Sequence, residues 1–296
     1  MTDRPLRIGV VGAGHFGRYH ALKVAASGRA VLAGIHDIDE ERATTVGWET
    51  GAPSLAFGAL MAASDAVIVA APAETHHAIA ATALGAGRHV LVEKPIAATL
   101  AQADELARLA AEGGRVLQVG HLERFSAAHA TVEGRMGQPL YIEATRIAPF
   151  KQRGTDVSVI LDLMIHDLDL ILSLVDSPIE SVDAVGAAVA SPLEDIANAR
   201  VRFANGCVAT ITASRISLRT ERRMRVFATA GYLALDFAAR RLTVIGKGRG
   251  RPIPGTPDFG AEEISWEDRD ALAAEHAAFV ASVLDGAPVV VDAAAG

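Results

Sequence analysis

The feature that most restricts the fold of this chain is a group of three glycines directly after a short apolar run. The run Leu6–Val11 is followed by Gly12, Gly14 and Gly17, and Phe16–Ala26 then continues with residues that suit a helix. A strand, a glycine turn and a helix in this order are typical of the first part of a doubly wound parallel sheet. We therefore expect the turn to lie at the edge of such a sheet.

The same pattern recurs through the first 120 residues. Near-continuous apolar segments alternate with alanine-rich stretches that suit helices, as in strands that are buried on both faces. These segments are Ala30–Ile35, Ala66–Ala70, His89–Val92 and Val116–Val119. Residues 1–120 are therefore predicted to form a Rossmann domain with a doubly wound parallel sheet.

The pattern changes after Gly120. Strand-like segments now follow one another with few helices between them, which predicts a largely antiparallel, open-faced sheet. They are Leu140–Arg146, Ile179–Ala188, Ala197–Phe203, Cys207–Ala213, Arg223–Ala228 and Tyr232–Phe237. Leu161–Val175 has helical spacing, and Gly246–Gly260 reads as an exposed loop. We expect an α/β chain whose residues 121–296 form an α+β domain for substrate binding and oligomerisation.

Composition and charge narrow the class of protein. The chain has 296 residues, of which 50% are hydrophobic, so it can bury a substantial core. Its formal net charge of −7 disfavours nucleic-acid binding through a broad basic surface and leaves a small molecule as the expected partner. The lone Cys207 cannot form an internal disulfide, the residues after Met1 do not resemble a signal peptide, and no apolar run approaches the roughly 20 residues of a membrane helix. We expect a cytoplasmic protein with no membrane partner.

The glycine group fits the pattern Gly-x-Gly-x-x-Gly, which runs from Gly12 to Gly17 and includes His15 and Phe16. At its three positions, glycine permits a tight turn, lets the backbone approach a pyrophosphate and allows close packing of the helix. The first N–H groups of the helix would face the anion. Because the pattern stands between a strand and a helix, it predicts a dinucleotide site rather than an ordinary turn.

Asp37, at the end of the second predicted strand, bears on which dinucleotide binds. It lies twenty residues after Gly17. A carboxylate there accepts hydrogen bonds from the adenosine ribose and repels a 2′-phosphate, so NAD is predicted over NADP. The alternative is that Asp37 caps a helix that begins near Asp39. His36 and Arg42 leave room for the use of both cofactors.

Lys94, in the tripeptide Glu93-Lys94-Pro95 after the fourth strand, is the first candidate for catalysis. It falls near the carboxyl edge of the sheet, where such folds bind ligands, and Pro95 can fix the turn through a cis peptide. Asp162 and His166 are four residues apart on the predicted helix and would share a face, so that Asp162 orients the imidazole and His166 accepts a proton. This set suits oxidation of an alcohol, because Lys94 can stabilise the developing alkoxide.

Each of these assignments has a structural alternative. A lysine at a strand end is usually just solvated, and Asp162 and His166 could be a satisfied structural pair, with Asp169 as the real partner of the histidine. No metal site is predicted, because His76 and His77 are adjacent and would point in different directions, while the lone cysteine lies in a strand-like segment.

Five motifs taken together carry a family resemblance. They are the glycine pattern, Asp37, the run Ala71-Pro72-Ala73-Glu74-Thr75-His76, the tripeptide Glu93-Lys94-Pro95 and the pair Asp162-x-x-x-His166. This set resembles the glucose-fructose oxidoreductase/inositol dehydrogenase/rhizopine catabolism (Gfo/Idh/MocA) family over nearly the whole chain. The resemblance implies that Lys94, Asp162 and His166 act at the substrate.

The resemblance also implies where the cofactor binds. NAD would lie beside the loop that follows the third strand, with Glu93 near the nicotinamide ribose. The loop residues implied are Ala71, Pro72, Thr75 and His76. Relatives usually carry a further helix after the segment that corresponds to the strand-like Pro288–Val291. Its absence would weaken domain packing, and the alternative is that this sequence is truncated.

A narrower resemblance rests on three further segments. They are Gly120–Phe125, Asp156–Asp169, and Asp195–Arg200 followed by Asn205-Gly206-Cys207. These segments are similar to the UDP-N-acetylglucosamine 3-dehydrogenase branch of the family, which supplies a 3-keto sugar nucleotide to an aminotransferase for diamino-sugar lipid A. The chain departs from that branch at Ser126, where asparagine is expected.

A sugar nucleotide carries a diphosphate, so cationic side chains beside the predicted site are candidate ligands. They are Arg124, Arg146, Lys151, Arg153 and Arg215. The predicted reaction is oxidation of the sugar 3-hydroxyl. The alternatives are an NAD-dependent dehydrogenase of a free sugar or inositol, and a catalytically silent NAD-binding regulator. An open apolar sheet face needs a partner, so we expect a homodimer or a homotetramer.

Overall fold

The computed structural model describes residues 4–132, 135, 137–151, 155, 157–256, 258–267 and 269–296. The chain divides into two compact units. The first consists of Met1–Phe125 with Asp270–Gly296, and the second of Ser126–Arg269. Among the helices in the described part of the chain, none has both the length and the apolar character that crossing a membrane requires.

The secondary structure elements are numbered in chain order. The strands are β1 Leu6–Val11, β2 Ala30–His36, β3 Ala66–Val69, β4 His89–Glu93, β5 Leu117–Gly120, β6 Pro139–Ile147, β7 Ile179–Ala187, β8 Ile196–Phe203, β9 Val208–Ser214, β10 Glu221–Ala228, β11 Gly231–Asp236, β12 Arg241–Lys247, β13 Arg251–Pro252 and β14 Phe259–Ser265. The α-helices are α1 His15–Ala25, α2 Glu40–Thr50, α3 Phe57–Ala63, α4 His76–Gly85, α5 Leu100–Gly113, α6 Ala127–Val132, α7 Ile165–Leu174 and α8 Ala271–Asp285. Short 3₁₀ turns occupy Ala73–Thr75 and Leu122–Phe125, and a π-helical turn occupies Ile160–Met164.

The first unit is built on a five-stranded parallel sheet in the order β2-β1-β3-β4-β5. Val11 on β1 pairs with Val69 on β3, Val69 pairs with Val92 on β4, and Val92 pairs with Val119 on β5. All four valines are buried. This register aligns the carboxyl ends of four strands along one edge of the sheet, and the loops that follow them start there.

Alternate residues of the strands enter two separate cores. On β3, Val67 and Val69 pack with α3, α4 and α5, whereas Ile68 packs with α1, α2 and α8. Helices therefore cover both faces, which explains why the strands read as continuous apolar runs. Full burial of one such aliphatic side chain stabilises a fold by roughly 1.5–3 kcal/mol, so both helical layers are needed to hold the sheet.

Helix α8 comes from the last part of the chain and belongs to the first unit. It begins after Asp270, whose side chain accepts a hydrogen bond from the Ala273 N–H at 2.9 Å. It ends at Gly286, whose φ of 68° is the left-handed conformation common at helix C-termini. Phe279 and Val280 are buried in the core that also holds α1. The first unit is therefore completed by residues from the far end of the sequence.

The second unit is built on a nine-stranded sheet in the order β13-β14-β12-β11-β10-β6-β9-β8-β7. Among the pairings in the described residues, that of β6 with β9 is parallel and the others are antiparallel. Burial alternates along its strands, as on β8, where Ala197, Ala199 and Val201 are buried. These side chains share a core with Met164 and Ile171. One face of the sheet is therefore covered by the helical segment 160–174.

The opposite face of this sheet is mixed in character. The Phe227 ring lies 6.0 Å from that of Tyr141 and 4.7 Å from that of Tyr232, measured between centroids. Arg225 and Glu143 form an ion pair on the same face. The predicted open face is present, but the prediction that it is apolar is wrong, because aromatic rings and charged pairs share it.

The predicted fold class is confirmed, and eleven of the twelve predicted strands are present in the described residues, with ends shifted by at most two residues. The loop predicted over Gly246–Gly260 is too long, because β12 extends to Lys247, β13 lies inside it and β14 begins at Phe259. The strand predicted at Pro288–Val291 is absent from the described residues. Val291 is nevertheless buried, and its carbonyl accepts a hydrogen bond from Val119 at 3.0 Å, so this end of the chain is packed against β5.

The predicted division into residues 1–120 and 121–296 differs from the two units of the structure. Leu122–Phe125 contacts α8, and α8 packs into the core of the first unit. Both segments therefore belong with the Rossmann sheet, although both follow its last strand in sequence. Apolar spacing can reveal a helix such as α8, but it does not say which sheet the helix covers.

Phe279→Ala is expected to lower the free energy of unfolding by about 3–5 kcal/mol, because the ring is fully buried and its loss leaves a cavity. Leu100→Ala is the control, since Leu100 is 85% exposed and its loss should change stability by less than about 0.5 kcal/mol. Urea unfolding followed by circular dichroism measures both variants. Equal stability of the two variants would contradict the packing of α8 described above.

Candidate active site

The glycine turn lies between β1 and α1 at the carboxyl edge of the parallel sheet. Gly12 has a φ of 95°, and a Cβ there would meet the Ala70 carbonyl oxygen at 2.5 Å. A Cβ at Gly17 would lie 1.8 Å from the Gly12 carbonyl oxygen. At Gly14, by contrast, a Cβ would meet no described atom within 4 Å. The backbone at Gly14 therefore faces open space at the start of α1, where helix N–H groups can bind an anion.

Asp37 stabilises the glycine turn from the end of β2. One carboxylate oxygen accepts a hydrogen bond from the Ala13 N–H at 2.6 Å, and the other accepts one from the Asp39 N–H at 2.8 Å. The cap of α2 is Asp39, whose side chain accepts hydrogen bonds from the N–H groups of Glu41 and Arg42. The alternative in which Asp37 caps this helix is therefore wrong. Asp37 instead ties the end of β2 to the turn.

A pocket of about 270 Å³ lies beside the glycine turn and α2. Its lining residues are Ala13, Arg18, Asp39, Glu41, Arg42, Thr45 and Val46. Arg42 is held by two carboxylates, with Nε 2.9 Å from Asp39 and Nη2 3.4 Å from Asp37. A 2′-phosphate would have to compete with these carboxylates for the guanidinium, so the pocket favours NAD over NADP.

The tripeptide Glu93-Lys94-Pro95 follows β4 on the same edge of the sheet. The peptide bond between Lys94 and Pro95 is cis, the option that the sequence left open. The His76 ring lies between two carbonyl oxygens, that of Pro95 at 2.7 Å from Nδ1 and that of Ala71 at 2.8 Å from Nε2. His76 is buried and joins the loops that follow β3 and β4. Both of its nitrogens contact the backbone, so its contact with a dinucleotide stays a prediction.

Glu93 leads to a group of buried titratable side chains in the first unit. Its Oε1 lies 2.8 Å from His20 Nε2, and His20 Nδ1 lies 2.7 Å from His276 Nε2. Burial, reinforced by the nearby His20, lowers the pKa of His276 to about 3, so this ring is neutral near pH 7. Burial and then the charge of Glu93 raise the pKa of Glu275 well above its usual range. A polar group from α1, β4 and α8 thus lies behind the carboxyl edge of the sheet.

In the second unit, Asp162 and His166 lie on one continuous helical segment. Asp162 is in the π-helical turn Ile160–Met164, and His166 is in the first turn of α7. A π-helical turn holds more residues than an α-helical one, so four-residue spacing alone does not place both side chains on one face. The shared face stays a prediction, as does the alternative partner Asp169, which is buried on α7. Single π-helical turns inside helices are frequent at functional sites.

Two buried ion pairs hold the segments around this helix. Arg146 donates hydrogen bonds from Nε and Nη2 to Asp167, at 2.9 and 3.0 Å. Arg215 donates from Nε to Asp195 and from Nη1 to the Val157 carbonyl, both at 2.8 Å. Burial acts to raise the pKa of Asp195, but hydrogen bonds from Arg215 and from backbone N–H groups hold it well below its usual range. Asp195 therefore remains charged, and the two ion pairs fix the chain next to Asp162 and His166.

The cations predicted to bind substrate differ in burial and in their contacts. Arg146 and Arg215 are buried and paired with aspartates, so their guanidinium groups first serve the protein's own carboxylates. Arg124 lies in a 3₁₀ turn of the first unit, and Lys151 is exposed. Arg153 lies outside the described residues. The substrate contacts of Arg124 and Lys151 stay predictions.

Two family models match this chain, one for each part of the arrangement described above. The model of an oxidoreductase family with an NAD-binding Rossmann fold, Gfo/Idh/MocA, matches residues 6–121. The model of the Gfo/Idh/MocA C-terminal domain matches residues 124–234. The chain belongs to the Gfo/Idh/MocA oxidoreductase family. The family resemblance found in the sequence is therefore confirmed.

Individual relatives agree with this assignment. A UDP-N-acetylglucosamine 3-dehydrogenase from Acidithiobacillus ferrooxidans is 41% identical over 293 residues, which cover 98% of this chain and 93% of that protein. A solved structure of that name from the same organism has a TM-score of 0.91 and 41% identity, and the match covers 98% of this chain and 92% of that one. An inositol 2-dehydrogenase from Acidothermus cellulolyticus is 34% identical over 231 residues, which cover 72% of this chain and 67% of that protein.

As a Gfo/Idh/MocA oxidoreductase, the protein uses NAD, and its own residues fit that cofactor. The open space at Gly14 suits a pyrophosphate, and the pocket beside α2 suits the adenosine end. The rings of His15 and Phe16 meet edge to face at 5.8 Å at the start of α1. Thr75 donates a hydrogen bond to the Pro72 carbonyl at 2.7 Å. The individual cofactor contacts of these four residues stay predictions.

Sequence reasoning missed the buried group formed by His20, Glu275 and His276. A signal for two of its members was present, because Glu275 and His276 are polar residues in an otherwise apolar helical stretch, 271–281. His20 gave a weaker signal as a histidine one turn beyond the glycine pattern. None of these positions indicates its partner, because the contacts join residues 256 positions apart.

Asp37→Ala is expected to weaken NAD binding by about 10- to 100-fold, since it removes a charge-assisted hydrogen bond to the turn and the acceptor for the ribose. Binding of NADP should fall less, which narrows the preference for NAD. Calorimetric titration with each dinucleotide measures both effects. Glu112→Ala, at an exposed residue of α5, is the control and should bind NAD as the wild type does. Unchanged NAD affinity in Asp37→Ala would contradict the assignment.

Proposed function

We propose that the protein oxidises the 3-hydroxyl of UDP-N-acetylglucosamine to the 3-keto sugar nucleotide, with NAD as the oxidant. The observation that carries this proposal is the 41% identity, over 98% of the chain, to a UDP-N-acetylglucosamine 3-dehydrogenase. The motifs of both family domains accompany that identity, from the glycine turn to the Asp162-x-x-x-His166 pair. A match of this extent supports a shared substrate more strongly than fold alone does.

The proposed chemistry is the loss of a hydride and a proton from one carbinol group. NAD, when bound, supplies the acceptor for the hydride that leaves C3 of the sugar. His166 accepts the proton of the 3-hydroxyl, and Asp162 holds its imidazole in the required tautomer. The Lys94 ammonium stabilises the negative charge that develops on the oxygen as the C–O bond becomes a carbonyl. The products are the ketone, reduced NAD and a proton.

The buried ion pairs of the second unit support the proposed role of the helix that starts at Ile160. Arg215 holds the Val157 carbonyl, and the Val159 N–H donates to the Glu194 carbonyl at 2.8 Å. These contacts fix the backbone just before the π-helical turn. A general base has to be held in position to accept its proton efficiently, and a helix anchored at its start provides such a support. Arg124 and Lys151 are the proposed contacts for the diphosphate, and Arg153 remains a candidate.

Two other functions remain as alternatives. Oxidation of a free inositol or sugar is supported by the 34% identity to an inositol 2-dehydrogenase. A catalytically silent NAD-binding regulator would keep the glycine turn without needing Lys94, Asp162 and His166. The presence of all three residues in the motif positions counts against the regulator. We further propose that a sugar aminotransferase consumes the 3-keto product for diamino-sugar lipid A, and that the reaction takes place in the cytoplasm, where the single cysteine can stay reduced.

Activity is tested by the absorbance of NADH after mixing the protein, NAD and UDP-N-acetylglucosamine, with a 3-keto-sugar aminotransferase and glutamate to remove the product. His166→Ala and Lys94→Ala are each expected to lower kcat by about 10²- to 10⁴-fold, as for loss of a group that moves a proton or stabilises its charge. NAD affinity of His166→Ala should stay at the wild-type value. Turnover with myo-inositol but not with the sugar nucleotide would favour the first alternative, and no turnover with either would favour the second.

We also propose that the protein is a homodimer or homotetramer assembled through the sheet of the second unit. Strand β7 is an edge strand that is exposed along all nine residues, including Val182 and Val185. Exposed edges of this length invite pairing with another chain. The aromatic group of Tyr141, Phe227 and Tyr232 adds apolar area on the open face.

Light scattering at micromolar concentration is expected to give two or four times the 30.8 kDa mass of the chain. Val182→Lys with Val185→Lys should shift the protein toward the monomer, because two charges in an interface are costly to desolvate. Ile38→Lys, at a residue of the first unit that is 94% exposed, is the control. A monomeric wild type would reject the proposed assembly.

A further inference from the structure

The buried polar group behind Glu93 brings together side chains from three separate elements of the first unit. His20 and Glu275 are fully buried, and His276 is 6% exposed. They come from α1 and α8, and together with Glu93 of β4 they place four titratable side chains in the interior of the first unit. Buried polar groups are retained at a cost in desolvation, so this group calls for a function.

The hydrogen-bond requirements of this group determine which nitrogen atoms carry a hydrogen. An ionised carboxylate only accepts hydrogen bonds, so His20 Nε2, which lies 2.8 Å from Glu93, carries a hydrogen. A neutral His20 then has a bare Nδ1, which needs a donor. The atom 2.7 Å away is His276 Nε2, which therefore carries its own hydrogen. His276 is neutral near pH 7, so its Nδ1 has no hydrogen.

We propose that His276 and His20 form a hydrogen-bond relay through which helix α8 positions the Glu93-Lys94 segment at the dinucleotide edge of the sheet. His276 donates to His20 and His20 donates to Glu93. His20 and His276 are positioning residues in this relay, because neither lies in the predicted site. The inference rests on the proposed function only in assigning chemistry to Lys94.

The relay acts together with a second anchor on the other side of Lys94. Glu93 is held through its side chain by His20, and Pro95 is held through its carbonyl by His76. The register that joins Val11, Val69 and Val92 places this tripeptide along the edge that also carries the glycine turn. A shift of the tripeptide therefore changes the lining of the dinucleotide site. Residues from the end of the chain contribute to a site whose glycine pattern is at its beginning.

Two other interpretations of this buried group are a metal site and a charged His20. His20, Glu275 and His276 offer ligand-type atoms within 4.8 Å of one another, as a metal ion needs. Both nitrogens of His20 are already in short hydrogen bonds, so a cation would have to displace one of them. A charged His20 would instead donate to His276, and would leave the Nδ1 hydrogen of His276 without an acceptor among the described residues. The neutral relay requires no displacement, and it leaves His276 Nδ1 as a buried acceptor without a donor instead of a buried N–H without an acceptor.

The surroundings of the relay favour its neutral form. Both oxygens of Glu275 and Oε1 of Gln118 are buried and make no hydrogen bond within the described residues. Burial and the charge of Glu93 raise the pKa of Glu275 well above its usual range, which opposes a second negative charge beside the relay. Lys23, one turn from His20, is paired with Asp270 at the start of α8. Among the described groups around the relay, the carboxyl group of Glu93 is the one that His20 contacts through Nε2, at 2.8 Å.

The tautomers are tested directly by ¹⁵N NMR of the imidazole rings at pH 7.5, in the protein with and without NAD. The expected result is a hydrogen on Nε2 and none on Nδ1 for both His20 and His276. Two protonated nitrogens on His20, or one transition-metal ion per chain by elemental analysis, would overturn the relay. Neither readout depends on turnover or on the identity of the sugar.

The positioning role is tested with matched variants of α8. His276→Leu removes the donor, and His276→Gln keeps an N–H near the position of Nε2. We expect NAD affinity, measured by calorimetry, to fall about tenfold in His276→Leu, equivalent to the loss of one hydrogen bond, and to stay within about threefold of wild type in His276→Gln. The pH profile of NAD binding, measured in parallel, should change in His276→Leu and stay as in the wild type in His276→Gln.

Val280→Ala controls for general damage to α8, because Val280 is buried on the same helix and contacts the apolar core. It should lower stability while leaving NAD affinity and its pH profile unchanged. Equal losses of NAD affinity in His276→Leu and His276→Gln, or in His276→Leu and Val280→Ala, would reject the positioning role. If the NMR and binding results are as expected but UDP-N-acetylglucosamine gives no turnover, the relay is supported and the proposed substrate is rejected.

Discussion

The arrangement of the first unit depends on the register of its buried parallel strands. Val11, Val69, Val92 and Val119 occupy one level of the sheet, and the chain leaves the sheet just beyond each of them. A one-residue slip would turn every side chain of a strand to the opposite core, so apolar packing on both faces fixes the register. The glycine turn and the Glu93-Lys94-Pro95 tripeptide lie on one edge as a consequence. Packing therefore brings these loops together, and polar contacts such as those of Asp37 and His76 then join them.

The two units stabilise their carboxylate side chains in different ways. In the second unit, Arg146 and Arg215 each contact a buried aspartate through short, directional hydrogen bonds. In the first unit, the partly buried carboxylate of Glu93 contacts a histidine whose second nitrogen is held by another histidine. A guanidinium has a fixed charge and a fixed fork, whereas an imidazole can change its tautomer. The first arrangement anchors the backbone, and the second orients a carboxylate without adding a permanent cation.

Short sequence patterns predicted the glycine turn, most of the strands and the position of Asp37. The positions of Gly12 and Gly17 followed from the turn that they make, and the structure leaves no room for a side chain at either. The strands were predicted from apolar runs and alternation, because burial on one or two faces determines which pattern is allowed. Asp37 was expected at the end of β2, and its link to Ala13 adds a structural role that the spacing did not indicate.

The features that the sequence did not predict depend on contacts between distant residues. No local pattern assigns α8 to the parallel sheet, because its apolar face would suit either unit. The π-helical turn at Asp162 also escaped prediction, since one added residue in a helical turn leaves the apolar spacing nearly unchanged. Both features bear on the site. Helix α8 brings His276 to His20, and the π-helical turn changes the angle between Asp162 and His166.

The positions of the predicted substrate cations show why positive charge alone did not identify substrate ligands. Arg146 and Arg215 lie close in sequence to the proposed catalytic helix or to the segments that anchor it, which made them reasonable ligands for a diphosphate. Both are buried and paired, and loss of one partner from such a pair leaves an uncompensated charge in the interior. Loss of activity on replacing either arginine would therefore report on the support of the helix as much as on the substrate. Exposed cations such as Lys151 are free of that ambiguity, because their replacement leaves no buried partner behind.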